Sequence, residues 1–356
     1  MIKIINYKNQ KDNIKLTNFL NKRRSGKNTN TKIVEKILND IKKNKIKAVY
    51  KYEKKFSNNK NIYPSKSQIS NSIKSLDNKV KKAIDLAYNR IFKFHSLQKI
   101  KNIKYIDKFK NKIEYVNVPI NSVGIYVPAN LPSTLLMNAI PSKICGVKNI
   151  ILANPKLNGK LNPAVMYAAK KCGINKVVNI GGAQAIGSLA YIFKVDKIVG
   201  PGSDYVAQAK KKVFGDVGTE GMIAGPSEVT VIADKNSNIN HIVTSLAAQS
   251  EHGINSQSIL ITSDKELIIK TKLELTKFIK KLPRKSIIFK SLKKNGLIIF
   301  VKNKSQIANI VNIISPEHLE IITKDYKSFV GKIFNVGSIG LGKYSPVAAS
   351  DYNVGT

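Results

Sequence analysis

The run Val123-Gly-Ile-Tyr-Val127, then Ser133–Val147, then Asn149-Ile-Ile-Leu-Ala153, decides the fold. A short β-branched run, a longer apolar segment at helical spacing and a second β-branched run read as strand, helix, strand. Pro163–Lys171 then predicts a helix, Lys176–Ile180 a strand and Ala183–Tyr191 a helix. A second series follows: strand Glu228–Ala233, helix Ile239–Glu251, strand Ser258–Thr262, helix Lys265–Lys281, strand Gly296–Val301, helix Gln306–Ile313 and strand Leu319–Ile322. This alternation implies parallel sheets with right-handed crossovers. Upstream, Ile33, Val34, Ile37, Leu38 and Ile41 recur at helical spacing, as do Ala83, Ile84, Leu86, Ala87 and Ile91. The expected fold class is α/β: two Rossmann-like parallel-sheet units in tandem with an N-terminal helical region. The similar series hint at an old duplication, without an exact repeat.

The 356 residues, 42% of them hydrophobic, suffice for two domains with their own cores. No apolar run approaches the ~18 residues of a membrane span, and Met1–Arg24 lacks the apolar stretch of a secretory signal. Cys145 and Cys172 are too few for a disulfide framework. A cytoplasmic protein without membrane contact is expected. The net charge of +39 invites a nucleic-acid reading. Only four basic residues are arginines (Arg23, Arg24, Arg90, Arg284), and arginine is the side chain suited to bidentate phosphate and base recognition. Lysine here accompanies abundant asparagine and isoleucine, as a coding sequence drifting toward A and T would give. Residues 1–120 carry 31 Lys/Arg against 8 Asp/Glu; residues 121–260 carry 13 against 7, with 14 of the 21 glycines. Solvated lysine is the expectation, with no nucleic-acid partner.

Gly337-Ser-Ile-Gly-Leu-Gly-Lys343 matches the opening of a P-loop, but Tyr344 follows where Mg²⁺ binding needs Ser or Thr, and Ser345-Pro346 disfavours a helix there. Gly181-Gly182 stands between a strand and a helix, the place for an anion on helix N–H groups. The G-x-G-x-x-G fingerprint is absent, and in isolation the pair reads as a tight strand-to-helix turn more readily than as a nucleotide site. Gln249 and His252, three apart at a helix end, can hold a metal from one side. The plainer reading has His252 complementing the helix dipole, with Gly253 as a left-handed cap. Glu317 and His318 sit between a helix and a strand, where two proton-transfer groups or two solvated turn residues would look alike. Asp351 means nothing alone, but a distant third ligand is what a Gln–His pair lacks.

Taken together, these segments resemble the histidinol dehydrogenase family. The match runs from about residue 30 and includes Val123–Pro128, Pro132–Pro141, Gly181–Ile186, Lys194–Gly202, Ala224–Val229, Gln249–Gly253, Pro316–Glu320, Tyr344–Pro346 and Asp351-Tyr352. The resemblance implies that L-histidinol is oxidised to L-histidine through the aldehyde, reducing two NAD⁺ in turn. It implies zinc (Zn²⁺) on Gln249, His252 and Asp351, with a fourth ligand from the partner of a homodimer, and zinc orienting the substrate. His318 would be the base and Glu317 would activate water. Tyr126, Gln184 and Ser203 would contact NAD, and Ser227, Gln249, His252, His318 and Asp351 the substrate. The family's arrangement, with the charge and glycine shifts, suggests an N-terminal arm at 1–24, a first α/β domain of 25–122 with 229–356, and a second, NAD-binding domain at 123–228.

The sequence departs from the family pattern at Ala129-Asn130, where the family has two glycines in a longer loop. It also departs at Ser203, where the family has asparagine, and in a shorter loop between Tyr191 and Lys194. The pattern would continue beyond Gly355-Thr356 with Asn-His and a stretch that supplies further substrate and zinc ligands. The expectation is therefore either an enzyme completed by such a stretch or a catalytically impaired remnant or fragment.

Overall fold

The computed structural model describes residues 2–9, 11–24, 31–220 and 225–355; Ala224 of the quoted motifs and the expected arm boundary after residue 24 lie outside or at the edge of these. In chain order the elements are β1 (Lys3–Tyr7), α1 (Asp12–Arg24), α2 (Thr31–Ser57), α3 (Lys66–Lys74), α4 (Asn78–Ser96), β2 (Ile103–Ile106), β3 (Lys112–Tyr115), β4 (Ser122–Tyr126), α5 (Pro132–Ile144), β5 (Asn149–Ala153), α6 (Pro163–Lys171), β6 (Lys176–Val178), α7 (Gly182–Tyr191), β7 (Lys197–Val199), α8 (Asp204–Val213) and β8 (Gly218–Thr219). They continue with β9 (Glu228–Ile232), α9 (Ile239–Ser250), β10 (Gln257–Thr262), α10 (Lys265–Lys280), α11 (Lys285–Asn295), β11 (Leu297–Val301), α12 (Gln306–Ile314), β12 (His318–Ile321), β13 (Ser338–Leu341) and α13 (Val347–Asn353).

The chain forms two compact units: residues 1–27 with 224–350, and residues 28–223 with 351–356. The unit holding residues 28–223 has the sheet order β6-β5-β4-β7-β8, every pairing parallel. Its chain reverses direction across the sheet between β4 and β7, which is the switch point of a doubly wound fold. Helices cover both faces. On one, Val34, Ile37, Leu38 and Ile41 of α2 pack with Ile186 and Leu189 of α7. On the other, Ile84, Ala87 and Ile91 of α4 pack with Leu135, Leu136, Ala139 and Ile140 of α5. Ile33 and Leu86, which share those helical patterns, are exposed instead. The helix α2 is interrupted at Lys45, whose φ is 49°.

The other unit has the order β1-β11-β10-β9-β12-β13, again all parallel. All residues of β10 and β11 are buried, as strands covered on both faces require. Counting from β9, the strand order repeats that of the first sheet, so the duplication suggested by the sequence extends to topology. The P-loop-like run forms β13 and its following turn, in keeping with its rejection.

Two expectations about organisation are corrected. The N-terminal arm is part of a core: β1 pairs along its length with β11, and Leu16 and Leu20 of α1 are buried. The helices α2 to α4 join the 123–223 sheet rather than the later one, because the apolar stripes of α2 and α4 pack on α7 and α5. The composition shift at Val123 therefore marks the passage from a lysine-studded outer layer to a buried sheet, within one unit. The hairpin β2–β3, antiparallel and exposed at every residue, was not expected.

Candidate active site

In the unit built on β4, the carboxyl edge of the sheet gathers the proposed cofactor contacts. Tyr126 ends β4 and is buried. Gly200 follows β7 with φ 108°, and an added Cβ would overlap the Tyr126 carbonyl oxygen. The two sides of the switch point thus touch through backbone, and only glycine fits between them. Ser203, exposed, stands at the N-cap of α8. The buried Lys210 reaches back from α8 to donate to the Gly200 carbonyl (2.9 Å) and pairs with Glu220.

Gly181 caps α7, and Gly182 begins it at φ 56°. The anion on this helix start comes from the chain itself. Glu53 of α2, 1% exposed, accepts from the Gly181 N–H (2.9 Å) and from the Gln184 amide (2.8 Å) through Oε1. Its Oε2 accepts from Ser57 (3.2 Å) and Asn59 (3.4 Å). A carboxylate at a helix N-terminus is favoured by the dipole and the unpaired N–H groups. Because Glu53 takes the Gln184 amide nitrogen, the amide oxygen is the end left for a ligand. Tyr126 joins the group by accepting from the Gly182 N–H (3.4 Å). Burial pushes the Tyr126 phenol above its ordinary pKa; the Glu53 charge adds to this and the Gly182 N–H opposes it. The phenol therefore stays protonated at neutral pH.

In the unit built on β9, the expected catalytic residues lie at the amino edge. Ser315 holds φ 50°, a left-handed conformation that turns the chain sharply from α12 and delivers Glu317 and His318 to the start of β12. Next to them in the sheet, β9 begins at Glu228. The His318 Nδ1 lies 3.0 Å from the Glu228 carbonyl oxygen. A carbonyl only accepts, so Nδ1 carries a proton, and in the neutral ring the lone pair is on Nε2. The Glu228 N–H donates to Glu317 Oε2 (3.0 Å), and Glu317 N–H donates to Glu228 Oε2 (3.3 Å). Glu317 Oε2 also lies 3.5 Å from His318 Nδ1. Ser227, half-buried, is fixed by its carbonyl accepting from Gln257 N–H (3.0 Å). The crossover β9–α9–β10 returns the C-terminal end of α9 toward the start of β10, hence to this same edge. Gln249 and His252 lie on that end. Gln249 is 5% exposed and its amide makes no hydrogen bond among the described residues; His252 is exposed. Gly253 does not adopt the left-handed cap conformation; the helix ends on Glu251 with helical backbone angles. Asp351, half-buried, belongs to α13 and to the other unit. Among the described residues no group of three His, Cys, Asp or Glu side chains is placed to hold a metal.

Residues 20–356 match the family model for histidinol dehydrogenase. The histidinol dehydrogenase of Pelagibacter ubique is 54% identical over 363 residues, covering 100% of this chain and 85% of that protein. The chain belongs to the histidinol dehydrogenase family. The family's enzyme from Prochlorococcus marinus subsp. pastoris is 40% identical over 99% of this chain and 85% of its own length. The crystal structure of histidinol dehydrogenase from Elizabethkingia anophelis superposes with a TM-score of 0.92 at 33% identity, covering 100% of this chain and 83% of that one. Methylmalonate-semialdehyde dehydrogenase from Oceanimonas doudoroffii, at 13% identity and a TM-score of 0.51, shares the fold alone. Membership makes the chain an oxidoreductase of histidine biosynthesis by family, consistent with NAD and a metal.

The structure thus brings Tyr126 and Gln184 into one network, with Ser203 along the same sheet edge, and Glu317 and His318 into another beside Ser227. Three residues the sequence reading did not single out hold these networks: Glu53, Glu228 and Arg23. For Glu53 a signal was present, a carboxylate on the apolar stripe of α2 beside Val49 and Tyr52. No comparable signal marked Arg23.

Proposed function

We propose that the chain oxidises L-histidinol to L-histidine through the aldehyde, with NAD as hydride acceptor in two successive steps. Family membership supports the reaction, and the observation that carries it is the His318 ring held by the Glu228 carbonyl with Nε2 left basic. His318 Nε2 takes the hydroxyl proton in the first oxidation and a proton from the hydrated aldehyde in the second. Glu317 spends Oε2 on the Glu228 N–H and keeps Oε1 for the water that hydrates the aldehyde. Tyr126, Gln184 and Ser203 hold NAD, which when bound supplies the hydride acceptor. The seat is the carboxyl edge at the switch point, where doubly wound sheets bind dinucleotides. Since Glu53 fills the start of α7, the cofactor's phosphates bind away from the Gly181 N–H.

Gln249, His252 and Asp351 present an amide oxygen, an imidazole nitrogen and a carboxylate, a donor set that suits zinc, and the buried Gln249 amide, which makes no hydrogen bond among the described residues, fits a ligating role. Zinc when bound there would fix the substrate's imidazole and amino nitrogens. Ser227 adds a hydroxyl to the same substrate. The second copy of a homodimer would cover the β2–β3 hairpin, which exposes Ile103, Tyr105, Ile106, Phe109, Ile113 and Tyr115. A lone two-stranded hairpin with apolar side chains is marginal without such cover. No helix among the described residues is long and apolar enough to cross a membrane; a cytoplasmic setting with free NAD belongs to the proposal. Identity of 54% spread over the whole chain does not favour an impaired remnant.

The test adds L-histidinol and NAD⁺ to the purified protein and follows NADH. Histidinol-dependent NADH formation that a chelator removes, zinc restores and His318→Asn abolishes is expected. Activity unchanged by His318→Asn would overturn the assignment of the base.

A further inference from the structure

Glu228 meets both proposed catalytic side chains, yet its own carboxylate faces elsewhere as well. Its Oε1 pairs with the Arg23 guanidinium, and Arg23 also donates to the Pro226 carbonyl (3.1 Å). The Arg23 side chain is 8% exposed and that of Glu228 19%, so the pair is largely withdrawn from water. Such a pair is directional, since a guanidinium presents its donors in a fixed fork. Arg23 lies in the last turn of α1, which Leu16 and Leu20 anchor in the core. One side chain from a fixed helix therefore grips both ends of the Pro226-Ser227-Glu228 segment.

We propose that Arg23 and Glu228 are a positioning pair for catalysis, an inference that rests on the function proposed above. Arg23 holds Glu228, and Glu228 holds the rest. Its Oε2 fixes the Glu317 N–H, its N–H fixes the Glu317 carboxylate, and its carbonyl fixes the protonated nitrogen of His318. Ser227 is carried by the same segment. Neither Arg23 nor the Glu228 carboxylate touches substrate; they act through Ser227, Glu317 and His318. The arrangement lets an acidic residue stand beside the proposed catalytic carboxylate, because the Glu228 charge is answered by Arg23.

The experiment uses the protein with zinc and NAD⁺ and compares Arg23→Met, Arg23→Lys, Glu228→Gln and the double variant Arg23→Met/Glu228→Gln. Displacement of reacting groups by about 1 Å costs on the order of 10²-fold in rate. The Met and Gln variants should therefore lose about 10- to 100-fold in kcat, with KM for NAD⁺ unchanged because Tyr126, Gln184 and Ser203 belong to the other unit. The double variant should be no worse than the worse single one, because both break one interaction. Arg23→Lys should recover part of the loss. Ring-nitrogen NMR of labelled histidine should show His318 losing its single Nδ1-protonated form. A lowered Tm with kcat and the His318 signals unchanged would overturn the proposal, as would additive losses in the double variant. His318→Asn separates the two readings. If it retains activity, the proposed function of this edge fails; if it is dead while the pair variants keep wild-type kcat, the positioning proposal alone fails.

Discussion

Replacing Gly200 by alanine tests the switch point as a cofactor seat. Two costs are separable. The first is conformational: φ of 108° is unfavourable for an L-residue, by about 1–3 kcal/mol. The second is steric: the new Cβ would overlap the Tyr126 carbonyl oxygen and sit 3.0 Å from its carbon. Both are backbone atoms of β4, so no side chain can swing away. Restoring van der Waals separation takes a retreat on the order of 1 Å between β4 and the loop after β7. Gly215→Ala is the control. Its φ is 102°, but nothing lies within 4 Å of an added Cβ, and it sits in the turn from α8 to β8, at the opposite edge of the sheet. Gly215→Ala should lower Tm by a few degrees, about 2–4 °C per kcal/mol for a unit of this size, and leave kinetics alone. Gly200→Ala should lower Tm further and reduce kcat/KM for NAD⁺ by up to about 100-fold. The assays are thermal unfolding and initial rates with NAD⁺ varied. A Gly200→Ala protein that matches Gly215→Ala in both would show that the close approach of Gly200 to β4 does not shape a cofactor seat.

Glu53→Ala leaves the Gly181 N–H and the Gln184 amide without their acceptor, each worth about 1–3 kcal/mol when buried and unmade. Urea unfolding should show a loss on the order of 2–6 kcal/mol, with KM for NAD⁺ raised; Glu53→Gln keeps an oxygen there and should lose much less, so equal losses would contradict the network. Burial pushes the Cys172 thiol up to about 12, while Cys145 is exposed. Near pH 8 a thiol reagent should therefore label one cysteine in the native protein and two in denaturant; two rapid labels in the native state would contradict the packing of α6. The lysine-rich surface should bind DNA weakly and lose it with salt, without sequence preference; a filter-binding assay finding a specific nanomolar site at physiological salt would overturn the reading of the charge.

Most of the sheet framework was legible because buried parallel strands are short β-branched runs with clear stops. Asn149–Ala153 and Pro163–Lys171 form the strand and helix expected from them. The edges were not. In β1, Lys3-Ile-Ile-Asn-Tyr7 is mostly exposed, so it lacks an alternation to read; β2 and β3 are exposed throughout; β7 has three residues and β8 two. Which helices join which sheet was hidden for another reason. Stripes on α2 and α4 say that something is buried, and only the fold says against what. Among the candidate residues, Glu317, His318 and Gln184 were marked by family motifs. Glu53 and Arg23 were not, because their meaning lies in partners 128 and 203 residues away along the chain. The doubly wound rule favours the carboxyl edge, where Tyr126 and Gln184 lie, whereas the other proposed site residues Ser227, Glu317 and His318 sit at the amino edge of their sheet.

Product stoichiometry tests the proposed double oxidation most directly: limiting L-histidinol is incubated with excess NAD⁺ and zinc, and NADH and histidine are quantified together. Two NADH and one histidine for each histidinol consumed, with no free aldehyde accumulating, is the result this account predicts. One NADH per histidinol with the aldehyde released, or NADH formation independent of histidinol, would contradict it.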